Sequence, residues 1–197
     1  MIKNIVAGGV KVAFLLMFFI VAGCDNKANT KNKKGLSFYT QGKYIEAIAE
    51  FKKALEYAPN NYDARYHLGI VYYAKGMTDE SISELKKAIE VNPNEPKAHY
   101  NIAFAYVTKE NVPQALVEYK RAVELSAARK DKKEADGYLY MAVAYSLIEK
   151  NEDAFIACKK AIEINPDFDD AHYFLGVCYY KKNMMDEAIE KFKKVIQ

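Results

Sequence analysis

Residues 62–95 read YDARYHLGIVYYAKGMTDESISELKKAIEVNPNE. Leu68, Tyr72 and Leu85 recur at helical spacing on either side of Gly76, and the small residues Gly69, Ser81 and Ala88 stand among them. The pattern predicts two antiparallel helices of about a dozen residues each. Two such helices approach closely only if small side chains stand where they cross, the place of Gly69, Ser81 and Ala88. A bulky residue there would force the helices apart at about 1–3 kcal/mol. Gly76 is expected to close the first helix in a left-handed conformation. Thr78 or Asp79 is expected to cap the second. Pro93 disfavours helical geometry at Asn92 and ends it.

The same skeleton recurs along the chain. With residue 62 as position 1, the small positions 8, 20 and 27 hold Gly35, Ala47 and Ala54 in residues 28–61, and Ala103, Ala115 and Ala122 in residues 96–129. They hold Ala142, Ala154 and Ala161 in residues 135–168, and Gly176 and Ala188 in residues 169–197, which stop short of a full copy. Spacing and residue types resemble the tetratricopeptide repeat, a 34-residue helix–turn–helix. The resemblance covers residues 28–197 and implies an all-α fold, a right-handed α-solenoid of five repeats. One hairpin buries too little apolar surface to stand alone, and stacked neighbours share a continuous core. Ala127 replaces the terminal proline of the third copy, so its second helix should run on through Arg129. Residues 130–134, KDKKE, form an insertion expected to lengthen the connection that follows. Its cations, with Arg129, read either as a basic patch or as a solvated helix end that suits the helix dipole.

The first residues differ in kind. Lys3 and Lys11 precede eleven apolar residues, 12–22, and then Val21, Ala22, Gly23 and Cys24 form the tetrapeptide VAGC. Eleven residues of helix span about 17 Å, half a bilayer core. That suits a signal peptide better than a spanning helix. VAGC resembles the lipobox of bacterial lipoproteins. The resemblance implies cleavage after residue 23 and acylation of Cys24, with the protein membrane-anchored on the extracytoplasmic side. Asp25 resembles an inner-membrane retention signal of enteric lipoproteins; the outer membrane is the other address. Residues 24–34 read as a polar tether running into the first repeat, whose Lys27, Lys31, Lys33 and Lys34 are either solvated or in reach of anionic headgroups.

Positions 2, 5, 9 and 12 of each first helix are expected to line a concave groove, with position 6 nearby. They place Tyr66, Ile70 and Tyr73 there, then Lys97, Tyr100, Asn101 and Phe104, then Leu139 and Val143, then Tyr173, Val177 and Tyr180. Tyrosine brings large area and a hydroxyl at modest entropy cost, which suits capture of a protein segment. Tyrosine at positions 5 and 12 equally serves to pack neighbouring repeats. Repeat arrays that clamp chaperone C-termini need Lys, Asn, Asn, Lys and Arg where this chain has Asn32, Leu36, His67, Lys97 and Asn101, so Lys97 alone matches. In the last helix Met185, Ile189 and Ile196 form an apolar stripe on the side a further repeat would cover. A second copy of the chain or another protein is expected there.

Composition bounds the chemistry. The 197 residues are 51% hydrophobic and 28% charged, with a net charge of +3 spread evenly, which leaves no nucleic-acid footprint. Phosphate loops, nucleophile elbows and paired-histidine zinc motifs do not occur. His67, His99 and His172 fall in three different repeats and are expected to join helices rather than bind a metal. Cys158 and Cys178 occupy core positions as free thiols or as a disulfide. The reading is of a non-enzymatic adaptor without cofactor, whose partners are protein segments and a membrane. Lipoproteins of this build resemble secretin pilotins, accessory subunits of outer-membrane protein insertion, polysaccharide-export scaffolds and adaptors of cell-wall enzymes.

Overall fold

The computed structural model describes residues 25–131 and 133–196. Among the described residues the regular structure is helical throughout, and the chain divides into two compact units between Val91 and Asn92. The first unit holds α1 (25–40), α2 (Tyr44–Tyr57), α3 (Tyr62–Ala74) and α4 (Thr78–Val91). The second holds α5 (Pro96–Thr108), α6 (Val112–Arg129), α7 (Lys133–Leu147), α8 (Asn151–Ile164), α9 (Asp169–Lys181) and α10 (Met185–Ile196).

All five hairpins turn the same way. Position 15 is left-handed in each: Gly42 at φ 72°, Gly76 at 75°, Glu110 at 57°, Glu149 at 59° and Asn183 at 59°. The next N–H then donates back to the carbonyl at position 11, from Lys43 to Phe38, Met77 to Tyr72 and Asn111 to Tyr106 at 2.9 Å, and from Lys150 to Tyr145 and Met184 to Tyr179 at 3.0 Å. A left-handed non-glycine residue costs about 1–2 kcal/mol. At Glu110 and Glu149 the satisfied carbonyl offsets part of that cost.

The crossing points pair by size. A Cβ on Gly35 would lie 2.7 Å from the Phe51 ring, one on Gly69 2.7 Å from Leu85 Cγ, and one on Gly176 2.6 Å from the Phe192 ring. Position 24 therefore presses a large side chain onto the backbone at position 8. Where position 8 is alanine, Ala103 shares a core with Tyr119 and Ala142 with Cys158. The alanines at positions 20 and 27 are buried throughout, as is Ser81.

A second device ties the helices of a pair together. Position 4 meets the glutamate at position 23 through Lys31–Glu50 at 3.4 Å, Arg65–Glu84 at 3.1 Å and His99–Glu118 at 2.7 Å. Glu50 is buried and also receives Lys34 and Lys53. Burial alone would push its carboxyl up, but Lys53 and Lys31 at bonding distance and the charge of Lys34 hold it below the ordinary value.

The expected tether is corrected. Residues 25–34 are already helical and belong to α1, so they are not a linker. They carry no apolar stripe, and their helicity comes from tertiary contact: Ala28 is fully buried, and Lys31 and Lys34 turn to Glu50 rather than outward. Residues 1–23 and Cys24 lie outside the described residues.

Two capping expectations differ in outcome. Asn111 caps α6, its side chain accepting from Gln114 N–H at 3.4 Å. Thr78 and Asp79 fall inside α4, where Asp79 and Glu80 put carboxylates in the first turn.

In the second unit α6 does run on through Arg129, closed by left-handed Lys130. The insertion is shorter in effect than expected, because Lys133 and Glu134 already belong to α7. Tyr100 closes this joint. Its hydroxyl donates to the Lys133 carbonyl at 3.0 Å and lies 3.3 Å from Ser126 Oγ. A Cβ on Gly137 would touch both Val123 and that hydroxyl, so glycine lets α7 approach. Burial and the nearby Asp136 and Asp131 charges push the Tyr100 phenol up to about 12, against the hydrogen bond with Ser126, and it stays a donor.

Candidate protein-binding face

The candidate residues lie on the first helices of the repeats, and each unit presents its own. In the first unit Leu36 and Tyr73 are exposed, and Ile70 is half-buried. Tyr66 is half-buried between the Tyr62 ring at 5.9 Å and the His67 ring at 5.4 Å. His67 Nδ1 lies 3.1 Å from Asn32 Oδ1, which joins α3 to α1.

The second unit places three first helices side by side. Phe104 on α5 meets Tyr140 on α7 with ring centres 4.8 Å apart, and Lys181 on α9 donates to Ser146 Oγ on α7 at 2.9 Å. Val143 (38% exposed), Leu147 (57%) and Tyr180 (58%) stand open on this face, with Phe104, Val107 and Val177 half-buried beside them. Lys97 is exposed, and Asn101 bonds back to the Lys97 carbonyl at 2.7 Å.

Two expected groove residues are corrected. Tyr100 is 7% exposed and Leu139 8%, so neither presents a surface to a partner. Both occupy position 5, and each is covered by the next repeat. Tyr100 packs against Tyr140, with ring centres 6.1 Å apart, and Leu139 shares a core with Ala171 and Phe168. Tyr173 at the same position leans on Phe192 at 5.5 Å and is open. On α5 and α7, then, position 5 packs against the following repeat, whereas on α9 it is open. Leu147, at position 13, was not expected and is among the most open apolar side chains here; its place one step beyond position 12 on the same helix is the signal.

Elsewhere, Met185 and Ile189 are half-exposed along α10, with Met184 beside them; the side chain of Ile196 lies outside the described residues. His99 bonds Glu118, and His172 Nε2 donates to the Pro166 carbonyl at 2.8 Å. Cys158 and Cys178 are free, buried and in hydrogen-bonding contact. The contact and burial push the Cys158 thiol up, while Cys178 is held down, with Lys181 and Lys182 adding to the effect.

This arrangement defines a helical-hairpin solenoid that offers surface rather than reactive groups. Tetratricopeptide-repeat family models match residues 38–99, 135–168 and 157–197. The chain is a tetratricopeptide-repeat protein, of a class whose members bind other proteins or peptides. Solved structures share the fold. MamA is 29% identical over 82% of this chain and 92% of that one, with a TM-score of 0.73. PilF of Pseudomonas aeruginosa is 17% identical over 89% of this chain and 78% of that one, with a TM-score of 0.78. YrrB, described as a TPR protein with an unusual peptide-binding site, is 24% identical over 84% of this chain and 83% of that one, with a TM-score of 0.66. No curated protein matches this chain.

Proposed function

We propose that this protein is a lipid-anchored adaptor of a bacterial envelope. Its repeats hold segments of other proteins against the open side of their first helices and so assemble or localise a complex. The observation that carries the binding half is the row Val143, Leu147 and Tyr180, left open on α7 and α9 while the faces of these helices toward α6 and α8 are packed. The anchoring half rests on the basic start, the eleven-residue apolar run and VAGC. Two or more acyl chains on Cys24, at about 0.8 kcal/mol per buried methylene, hold a protein stably.

Because residue 25 already belongs to α1, an acyl chain on Cys24 would bring the first repeat close to the headgroups. The extracytoplasmic side follows from the signal peptide, and Asp25 favours the inner membrane over the outer. A Cys24→Ser chain should accumulate as unprocessed precursor and lose metabolic labelling with palmitate. Normal processing and labelling of that variant would refute the anchor.

A further inference from the structure

The last repeat reverses the link between positions 4 and 23. Position 23 holds Glu50, Glu84 and Glu118 in the first three repeats, each bonded to the basic or histidine residue at position 4. In the fifth repeat position 4 is again a histidine, His172, but position 23 is Lys191. His172 is 3% exposed, and its Nε2 is engaged by the Pro166 carbonyl, which also accepts from Lys194 at 2.9 Å. Its Nδ1, the atom through which His99 meets Glu118, is buried without a hydrogen-bond partner. Here α8, α9 and α10 enclose a pocket of about 420 Å³, with His172 in its lining. Ile162, Leu175 and Tyr179 supply its apolar wall, while Lys159 stands on the α8 side and Lys191 on the α10 side. Neither cation is firmly engaged. Lys159 is exposed, its Nζ 5.6 Å from the centre of the Phe155 ring. Lys191 pairs at 2.8 Å with Glu190, whose side chain is 71% exposed, and a surface pair of that kind contributes little. The acid of the lining, Glu163, is itself open to water and 3.8 Å from Lys160. The pocket therefore joins an apolar wall to an excess of positive charge, where three other repeats put a carboxylate.

We propose that this pocket binds a small free carboxylic acid, its apolar body on Ile162, Leu175 and Tyr179 and its carboxylate between Lys159 and Lys191. The carboxylate restores the charge that glutamate supplies in the first three repeats. Hydrogen bonds from ammonium groups to a carboxylate are charge-assisted and about twice as strong as neutral ones. The volume falls within the range of small-molecule pockets, and the lining has their usual form, an apolar wall with a few polar groups that fix orientation. A cationic ligand of the same shape is repelled, which gives the pocket a sign preference. The site shares no residue with the row Val143, Leu147 and Tyr180, so it is independent of the adaptor reading.

The test is a titration of phenylpropionate into the full chain, held in lipid nanodiscs and carrying isotope-labelled histidine, followed by nuclear magnetic resonance of the imidazole rings. Phenylpropanol serves as the uncharged match and phenylpropylammonium as the opposite charge. The His172 ring signals should shift saturably with the acid while those of His67 and His99 stay in place. The alcohol should bind about tenfold more weakly, and the ammonium compound more weakly still. Lys191→Glu, which puts back the residue type of the first three repeats, should abolish the response to the acid. Lys191→Met keeps the apolar stem and should weaken the acid about tenfold, as should Lys159→Met at its exposed site. Unchanged His67 and His99 signals in each variant show that the repeats remain folded. No saturable shift at His172, equal binding of acid and alcohol, or a response that survives Lys191→Glu would each overturn the proposal.

Discussion

Tyr119→Ala should cost about 3–5 kcal/mol of unfolding free energy, the range for deleting a large buried ring. Tyr119 is buried at position 24 of the third repeat, with ring centres 5.6 Å from Phe104, 5.8 Å from Tyr140 and 6.5 Å from Tyr100. Those three rings come from α5 and α7, so one truncation loosens both the repeat and its stacking on the next. Neighbours fixed on two helices collapse poorly into the space, which puts the cost at the upper part of the range. Urea unfolding followed by circular dichroism would read it as a lowered midpoint. A loss below about 1 kcal/mol would mean that this ring cluster does not hold the hairpins together.

The second large effect belongs to the crossing of α3 and α4. Gly69→Val puts a branched side chain where a Cβ would already lie 2.7 Å from Leu85 Cγ and 3.3 Å from the Ser81 carbonyl. The backbone carbonyl cannot yield as a side chain can, so overpacking should cost about 1–3 kcal/mol even though valine is the better helix former. Leu85→Ala alone should cost about 2–5 kcal/mol, since Leu85 is fully buried. Combined, the two should be less damaging than their sum, because the valine refills the space the leucine leaves. A double-mutant cycle in urea measures that coupling. Strict additivity would show that positions 8 and 24 are not complementary in the way the geometry describes.

These contacts mark what was legible in advance. Gly35, Gly69 and Gly176 announced the crossings because a small residue at one fixed place, copy after copy, has little other use. The run of α6 through Arg129 followed from the missing proline at Ala127. The left-handed turns at Glu110 and Glu149 were not legible, because glutamate carries no local preference for that conformation and the turn is imposed by the bond to position 11. The helicity of residues 25–34 was missed for the same kind of reason: nothing local ties Lys31 and Lys34 to a helix until Glu50 is brought to them. The bridge from position 4 to position 23 was available as a basic or histidine residue nineteen places before a glutamate, three times over. On the binding face, periodicity located the strip but not the burial of Tyr100 and Leu139, since position 5 faces the groove edge and the next repeat at once.

The central claim is that partners are held on the open side of the first helices. It is tested most directly by photocrosslinking in cells from a photoreactive phenylalanine placed at position 180, with position 156 as the comparison. Tyr180 lies on the α9 strip, whereas Ile156 is an exposed apolar residue of the second-helix side, on α8. The account predicts a discrete protein adduct from position 180 and none from position 156. The same adduct from position 156, with nothing from position 180, would contradict it.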